Sequence, residues 1–125
     1  MTNRRSFIKG AIALSTLAAA PAAFAGGHGR LGTFTGKKGH VTTGTAEVLK
    51  DKVVLLDDFT FDGAPDPKVA FGKDGYDANT LMGPLKSNNG TSSYAIPAGV
   101  NPDDYNEVWI WCEKFNVPLG VAKLG

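Results

Sequence analysis

A single cysteine and two histidines are the only sulfur-thiol and imidazole groups among 125 residues. One thiol cannot close an internal disulfide, cannot complete a structural zinc site alone, and cannot form the C-x-x-C-H motif of covalent haem attachment. Charge of one sign is equally scarce, with thirteen basic residues against twelve acidic ones. That balance leaves no basic face, so nucleic acid is not expected as a partner. Long hydrophobic runs are missing as well. The most apolar stretch, residues 11–20, is about half of the roughly 20 residues that span a bilayer, and no retained membrane span is expected. Glycine and turn-forming residues are plentiful instead: 16 glycines and 7 prolines cut the chain into short runs.

The first 25 residues read as an export signal. Asn3-Arg4-Arg5-Ser6-Phe7-Ile8-Lys9 resembles the twin-arginine consensus. An alanine-rich stretch follows, and the small residues of Ala23-Phe24-Ala25 suit a signal peptidase. The expectation is a twin-arginine signal peptide over 1–25 and a soluble periplasmic or secreted product. Losing Arg4, Arg5 and Lys9 leaves ten basic residues against twelve acidic, a net charge of −2, on about 100 residues. That length suits one domain. The twin-arginine route carries folded proteins, some of them loaded with a cofactor, which hints at a prosthetic group.

Beyond the leader, β-branched and aromatic runs alternate with glycine, proline, asparagine and aspartate, an all-β rhythm. Residues 26–31 are expected as a flexible tail and 32–125 as the β domain. His40 to Leu49 reads as a strand, turned at Asp51-Lys52 and answered by Val53 to Phe59; Gly44 inside it suggests a bulge or close backbone approach. Residues 58–67 read as a loop and Val69 to Phe71 as a short strand. Asn89-Gly90 suggests a tight hairpin turn with two positive φ angles. Pro102 to Asn106 allows a helical turn, and Val117 to Leu124 is the last strand. The fold expected is a single antiparallel β-sandwich or flattened barrel.

Cys112 lies in the run VWIWCEKFNV, residues 108–117. Alternation places Val108, Ile110 and Cys112 on one face and Trp109, Trp111 and Phe115 on the other, as in a central strand covered on both sides. A lone buried cysteine is ordinarily a small apolar filler, and paired tryptophans are ordinarily core aromatics before they are an electron path or stacking platform. A functional thiol needs access, and Glu113 beside it would oppose thiolate formation if the two faced each other.

The segments GTFTG (32–36), GHVTTGTAEVL (39–49), LLDDFTFDGAPDP (55–67), LMGPLKSNNGTSSYAIP (81–97) and YNEVWIWCEKFNVPLGVAKL (105–124) together resemble the DM-thirteen domain, an electron-transfer family also present in Skeletor-type proteins. The resemblance implies a β-sandwich and a redox-active cysteine at Cys112. It also implies two ways for that cysteine to work, as a naked thiol or as a ligand to a prosthetic group such as haem, exchanging electrons with a periplasmic redox partner protein.

Haem on Cys112 would need a cavity at the strand end, with His40 or Met82 as a second ligand. Cys112, His40, His28 and Met82 would also be the chemically suitable set for a blue-copper centre. The usual copper loop places a histidine and a methionine soon after the cysteine, however, and neither follows Cys112. Asp58, Thr60, Asp62 and Gly63 imitate the start of a calcium loop, but Val69 stands where its glutamate belongs, so a self-bonded turn is expected. The alternative reading is a non-enzymatic ligand- or partner-binding β-sandwich in which Cys112 is structural.

Overall fold

Short β-forming runs cut by turns give nine strands in the computed structural model, which describes residues 29–125. They are β1 (Arg30–Gly36), β2 (Thr42–Thr43), β3 (Thr45–Val48), β4 (Lys52–Leu55), β5 (Thr60–Phe61), β6 (Pro67–Gly72), β7 (Ser92–Ala95), β8 (Glu107–Cys112) and β9 (Val117–Leu124). Single 3-10 turns occur at Ala78–Thr80 and Pro102–Asp104, the second within the expected helical turn. No helix among the described residues is long and apolar enough to cross a membrane. The leader expected over 1–25 and the tail residues Gly26, Gly27 and His28 lie outside the described residues.

Seven strands form one antiparallel sheet in the order β6-β8-β9-β1-β3-β4-β7, and β2 pairs with β5 beside it. The large sheet curls until its edges nearly meet, which bears out the all-β flattened-barrel expectation. A strap over residues 82–86 spans the two edges. On the β6 side, Met82 N–H donates to Val69 O and Leu85 N–H to Pro67 O; on the β7 side, Lys86 N–H donates to the Tyr94 hydroxyl at 2.9 Å. The Lys86 ammonium also donates to Ser93 O at 2.6 Å, so backbone groups on both edge strands are partly satisfied, which blunts edge-to-edge association.

Period-two alternation decides which side chains reach the interior. In β1, Phe34 points inward and is buried while Leu31 faces out. Phe34 meets Phe59 edge-on at 5.4 Å inside the barrel. The strand expected over His40 to Leu49 is interrupted at Gly44, whose φ is +102° and where a Cβ would lie 2.5 Å from the Phe59 Cα. Only glycine permits that approach. Asp58 secures the break by accepting from Thr45 N–H and Oγ1 at 2.9 and 2.8 Å, so it ties two segments together and does not form the self-bonded turn expected from its spacing.

Pro118 sits inside a central strand because β8 and β9 slip register between Ile110 and Trp111, opposite it. A bulge is where a missing ladder donor is tolerated. The displaced Leu119 carbonyl instead accepts from Lys37 N–H and the buried Thr42 hydroxyl.

Several elements differ from the sequence reading: β4 ends at Leu55, short of the expected Phe59, and β5 at Thr60–Phe61 falls inside the expected 58–67 loop. Strand β1 starts at Arg30, two residues inside the expected tail, because the Arg30 guanidinium donates to the Pro102 and Tyr105 carbonyls at 3.0 and 2.8 Å. At Asn89-Gly90 only the glycine has positive φ, and no local hairpin forms. β7 crosses instead to β4, where Tyr94 pairs with Val53 and is buried, while Asn89 bridges Thr60.

Candidate redox site

The residues with redox chemistry concentrate on β8, and its two faces differ. Val108, Ile110 and Cys112 point into the barrel, with Cys112 only 1% exposed. Cys112 is the last residue of β8, in register with Pro67, the first of β6, and Val117, the first of β9. Its sulfur is therefore sealed, yet it stands one turn from the barrel rim. Glu113 begins that turn, exposed and bound to the ammonium of Lys68, which Asp66 also contacts at 3.3 Å. The Glu113 bond, with help from Asp66, raises the Lys68 pKa above its ordinary value against the opposing effect of desolvation.

The outer face is different from expectation. Trp109 and Trp111 are half-buried, and Phe115 leaves the strand altogether, 57% exposed in the following turn. Among the described residues no second sheet covers this face; the loop carrying Tyr76 packs on it. Tyr76 stacks on Trp111 with ring centroids 3.9 Å apart and planes 8° from parallel, and Trp111 meets Trp109 edge-on at 5.9 Å. Burial first, then the nearby Glu113 and Asp77 charges, push the Tyr76 phenol up, while Lys68 opposes them. Gly72 of β6 lies under Trp109 so closely that a Cβ there would strike the indole.

Glu107 begins β8 on the same outer face and is 1% exposed. Its Oε1 accepts from Gly75 N–H at 2.8 Å and from Trp109 Nε1 at 3.0 Å; its Oε2 pairs with Lys123 Nζ at 3.0 Å. Burial drives the carboxyl pKa up, but the Gly75 amide, Lys123 and Trp109 together outweigh it and hold the group below its ordinary value.

His40 and Met82, the two suggested partners of Cys112, are placed differently from one another. Met82 packs against the core cluster that contains Cys112. His40 stands before β2, its Nδ1 2.9 Å from Asp62 Oδ1 and its ring 5.8 Å from that of Phe61. The Val41 amide first, and then His40, hold Asp62 below the usual carboxylate range. Among the described residues no hydrogen bond joins Cys112 to His40 or Met82, and no group of three histidine, cysteine or acidic side chains is arranged to hold a metal.

The surroundings of Cys112 do not fit haem. Its neighbours are close-packed core side chains, and two surface pockets among the described residues, of about 300 and 330 Å³, are lined by neither Cys112, His40 nor Met82. A macrocycle needs an open cavity at its axial ligand. Copper fits no better, since His40 is tied to Asp62 and a blue-copper centre needs two histidines beside the thiolate.

Glu107 and Tyr76 were not anticipated. Glu107 carried a faint signal, an acidic residue at period-two spacing from two tryptophans. Tyr76 carried none, because only the folded loop brings it to Trp111.

No match was found among curated proteins or among solved structures. The family model described as Electron transfer DM13 matches residues 33–124, from within β1 to the end of β9. With almost the whole described domain matched, the chain belongs to the electron transfer DM13 family.

Proposed function

We propose that this chain is a small electron-transfer module that works outside the cytoplasm, delivered by a twin-arginine leader, with Cys112 as a bare redox thiol that meets a periplasmic redox partner protein. The family supplies the electron-transfer role. The observation that supports the cysteine is its place at the rim end of β8, where opening of the 113–116 turn uncovers it without unfolding the barrel.

Once uncovered, the thiolate attacks a disulfide of the partner and forms a mixed disulfide while the partner's other sulfur leaves as thiolate. A dithiol donor then attacks the Cys112 sulfur, releasing the first partner as its dithiol, and closes its own disulfide, so that Cys112 returns as a thiol and two electrons pass from donor to partner. A single cysteine cannot close its own disulfide, so donor and acceptor supply the remaining sulfurs. The Lys68–Glu113 pair lies over the same turn and is the natural latch.

A non-enzymatic ligand- or partner-binding domain with a structural cysteine is the second reading, favoured by the 1% exposure of Cys112. Cys112→Ser separates the two. The redox reading expects the fold retained and mixed-disulfide capture from a periplasmic extract abolished. An unchanged capture pattern contradicts it. Fractionation of cells carrying the full chain, with Arg4 and Arg5 replaced by lysine as the control, tests export.

A further inference from the structure

The two outer-face indoles of β8 differ in what receives their N–H. Trp111 donates to the neutral amide oxygen of Asn116 at 3.2 Å. Trp109 donates to Glu107 Oε1 at 3.0 Å, on a carboxylate whose side chain is 2% exposed and is fixed by Gly75 N–H and Lys123 Nζ. An indole that loses one electron becomes a radical cation with a strongly acidic N–H. A neutral amide cannot take that proton, whereas a carboxylate already hydrogen-bonded to it can.

We propose that Trp109 and Glu107 form a proton-coupled one-electron site, with Trp111 and Tyr76 as the aromatic path that connects it to the surface. A strong outer-sphere one-electron oxidant, chemically a high-valent metal centre or an oxidising radical, removes one electron from Trp109. The indole N–H proton moves along the existing hydrogen bond to Glu107 Oε1. The products are a neutral indolyl radical and a neutral carboxyl group beside the Lys123 ammonium. A one-electron reductant returns the electron, and the proton goes back to the indole nitrogen.

The geometry serves this step in two ways. Gly72 and the Gly75 loop hold the ring and the carboxylate in contact, so little rearrangement accompanies proton transfer. The groove of about 330 Å³ bounded by Trp109, Glu107 and Lys123 opens one side of the pair to solvent. The site rests on the electron-transfer reading for its purpose, but its chemistry is independent of Cys112.

The test is flash-quench oxidation of the full chain by a ruthenium polypyridyl complex with a sacrificial acceptor, read by transient absorption and electron paramagnetic resonance. The expected product is the neutral indolyl radical, formed more slowly in deuterated water and lost in Trp109→Phe. Glu107→Gln keeps a hydrogen-bond acceptor but no base; deprotonation of the radical cation should slow about a hundredfold, the low end of what a positioned proton acceptor contributes. If that variant misfolds, Asn116→Asp in a Trp109→Phe background places a carboxylate on the other indole and should restore a neutral radical on Trp111. An unchanged neutral radical in Glu107→Gln, its absence in the double variant, or a wild-type radical confined to Tyr76 or Cys112 would overturn the proposal. Radical formation that survives in Cys112→Ser, alongside lost disulfide capture, separates this site from the thiol chemistry.

Discussion

Strand β8 carries two chemistries on alternate residues. Its inner face holds Val108, Ile110 and Cys112 in a close-packed core, where position is set by packing and the sulfur is sealed. Its outer face holds Glu107, Trp109 and Trp111 under one loop, where position is set by hydrogen bonds and ring stacking. On the readings proposed above, the same backbone offers a sealed thiol at Cys112 and a half-exposed indole at Trp109 on opposite faces, three residues or about 10 Å apart along the strand. What separates them is access.

The sharpest way to break this contrast is to damage each face in turn. Ile110→Ala should cost about 2–5 kcal/mol, because a fully buried side chain leaves a cavity. Trp111→Ala should cost less, since its ring is half-exposed beneath Tyr76 and beside Trp109. Urea denaturation of both variants checks the order; equal losses would mean that the outer aromatics are a second core.

Glu107→Ala is the next largest effect, about 1–3 kcal/mol, because the Gly75 amide and the Trp109 N–H lose a buried acceptor. The carboxyl's folded pKa lies below its unfolded value of about 4.3, so folding gains from its ionised form at neutral pH. That gain is full above the unfolded value and fades as the pH falls toward the folded one. Melting temperature followed over this acid range should drop less steeply in Glu107→Gln than in the parent; parallel curves would remove Glu107 from the acid response.

Cys112→Ser should cost about 1–3 kcal/mol by placing a hydroxyl in the buried apolar cluster around that position. A melting temperature unchanged by that substitution would mean the site is wetter than its packing indicates. The smallest effect belongs to His40→Ala: its ring contacts Phe61 and the exposed Asp62 and, among the described residues, makes no hydrogen bond to Cys112, so thiol reactivity should stay at the parent value. A changed alkylation rate would restore His40 as a partner of Cys112.

Much of the fold was legible because it rests on local rules. Val117 to Leu124 is a strand with the expected bounds, Gly44 is the expected close approach, and Val108, Ile110 and Cys112 share the expected face. Long-range pairing was not legible. Asn89-Gly90 has hairpin chemistry, yet the burial of Tyr94 against β4 and the 82–86 strap outweigh it. Of the candidate site, alternation located Cys112 and both tryptophans but could not say that the outer face lacks a second sheet. Tyr76 and the Gly75 amide reach β8 through a loop, and no period in the sequence encodes that encounter.

The proposed thiol chemistry requires that Cys112 be reached by local opening at the rim. Alkylation of the folded protein under native conditions, measured beside its global unfolding free energy, tests it most directly. The account predicts a rate well above the ceiling that global unfolding imposes, accelerated by Glu113→Ala with no matching fall in stability. Modification only as fast as the whole barrel unfolds, and indifferent to the Lys68–Glu113 latch, would contradict it.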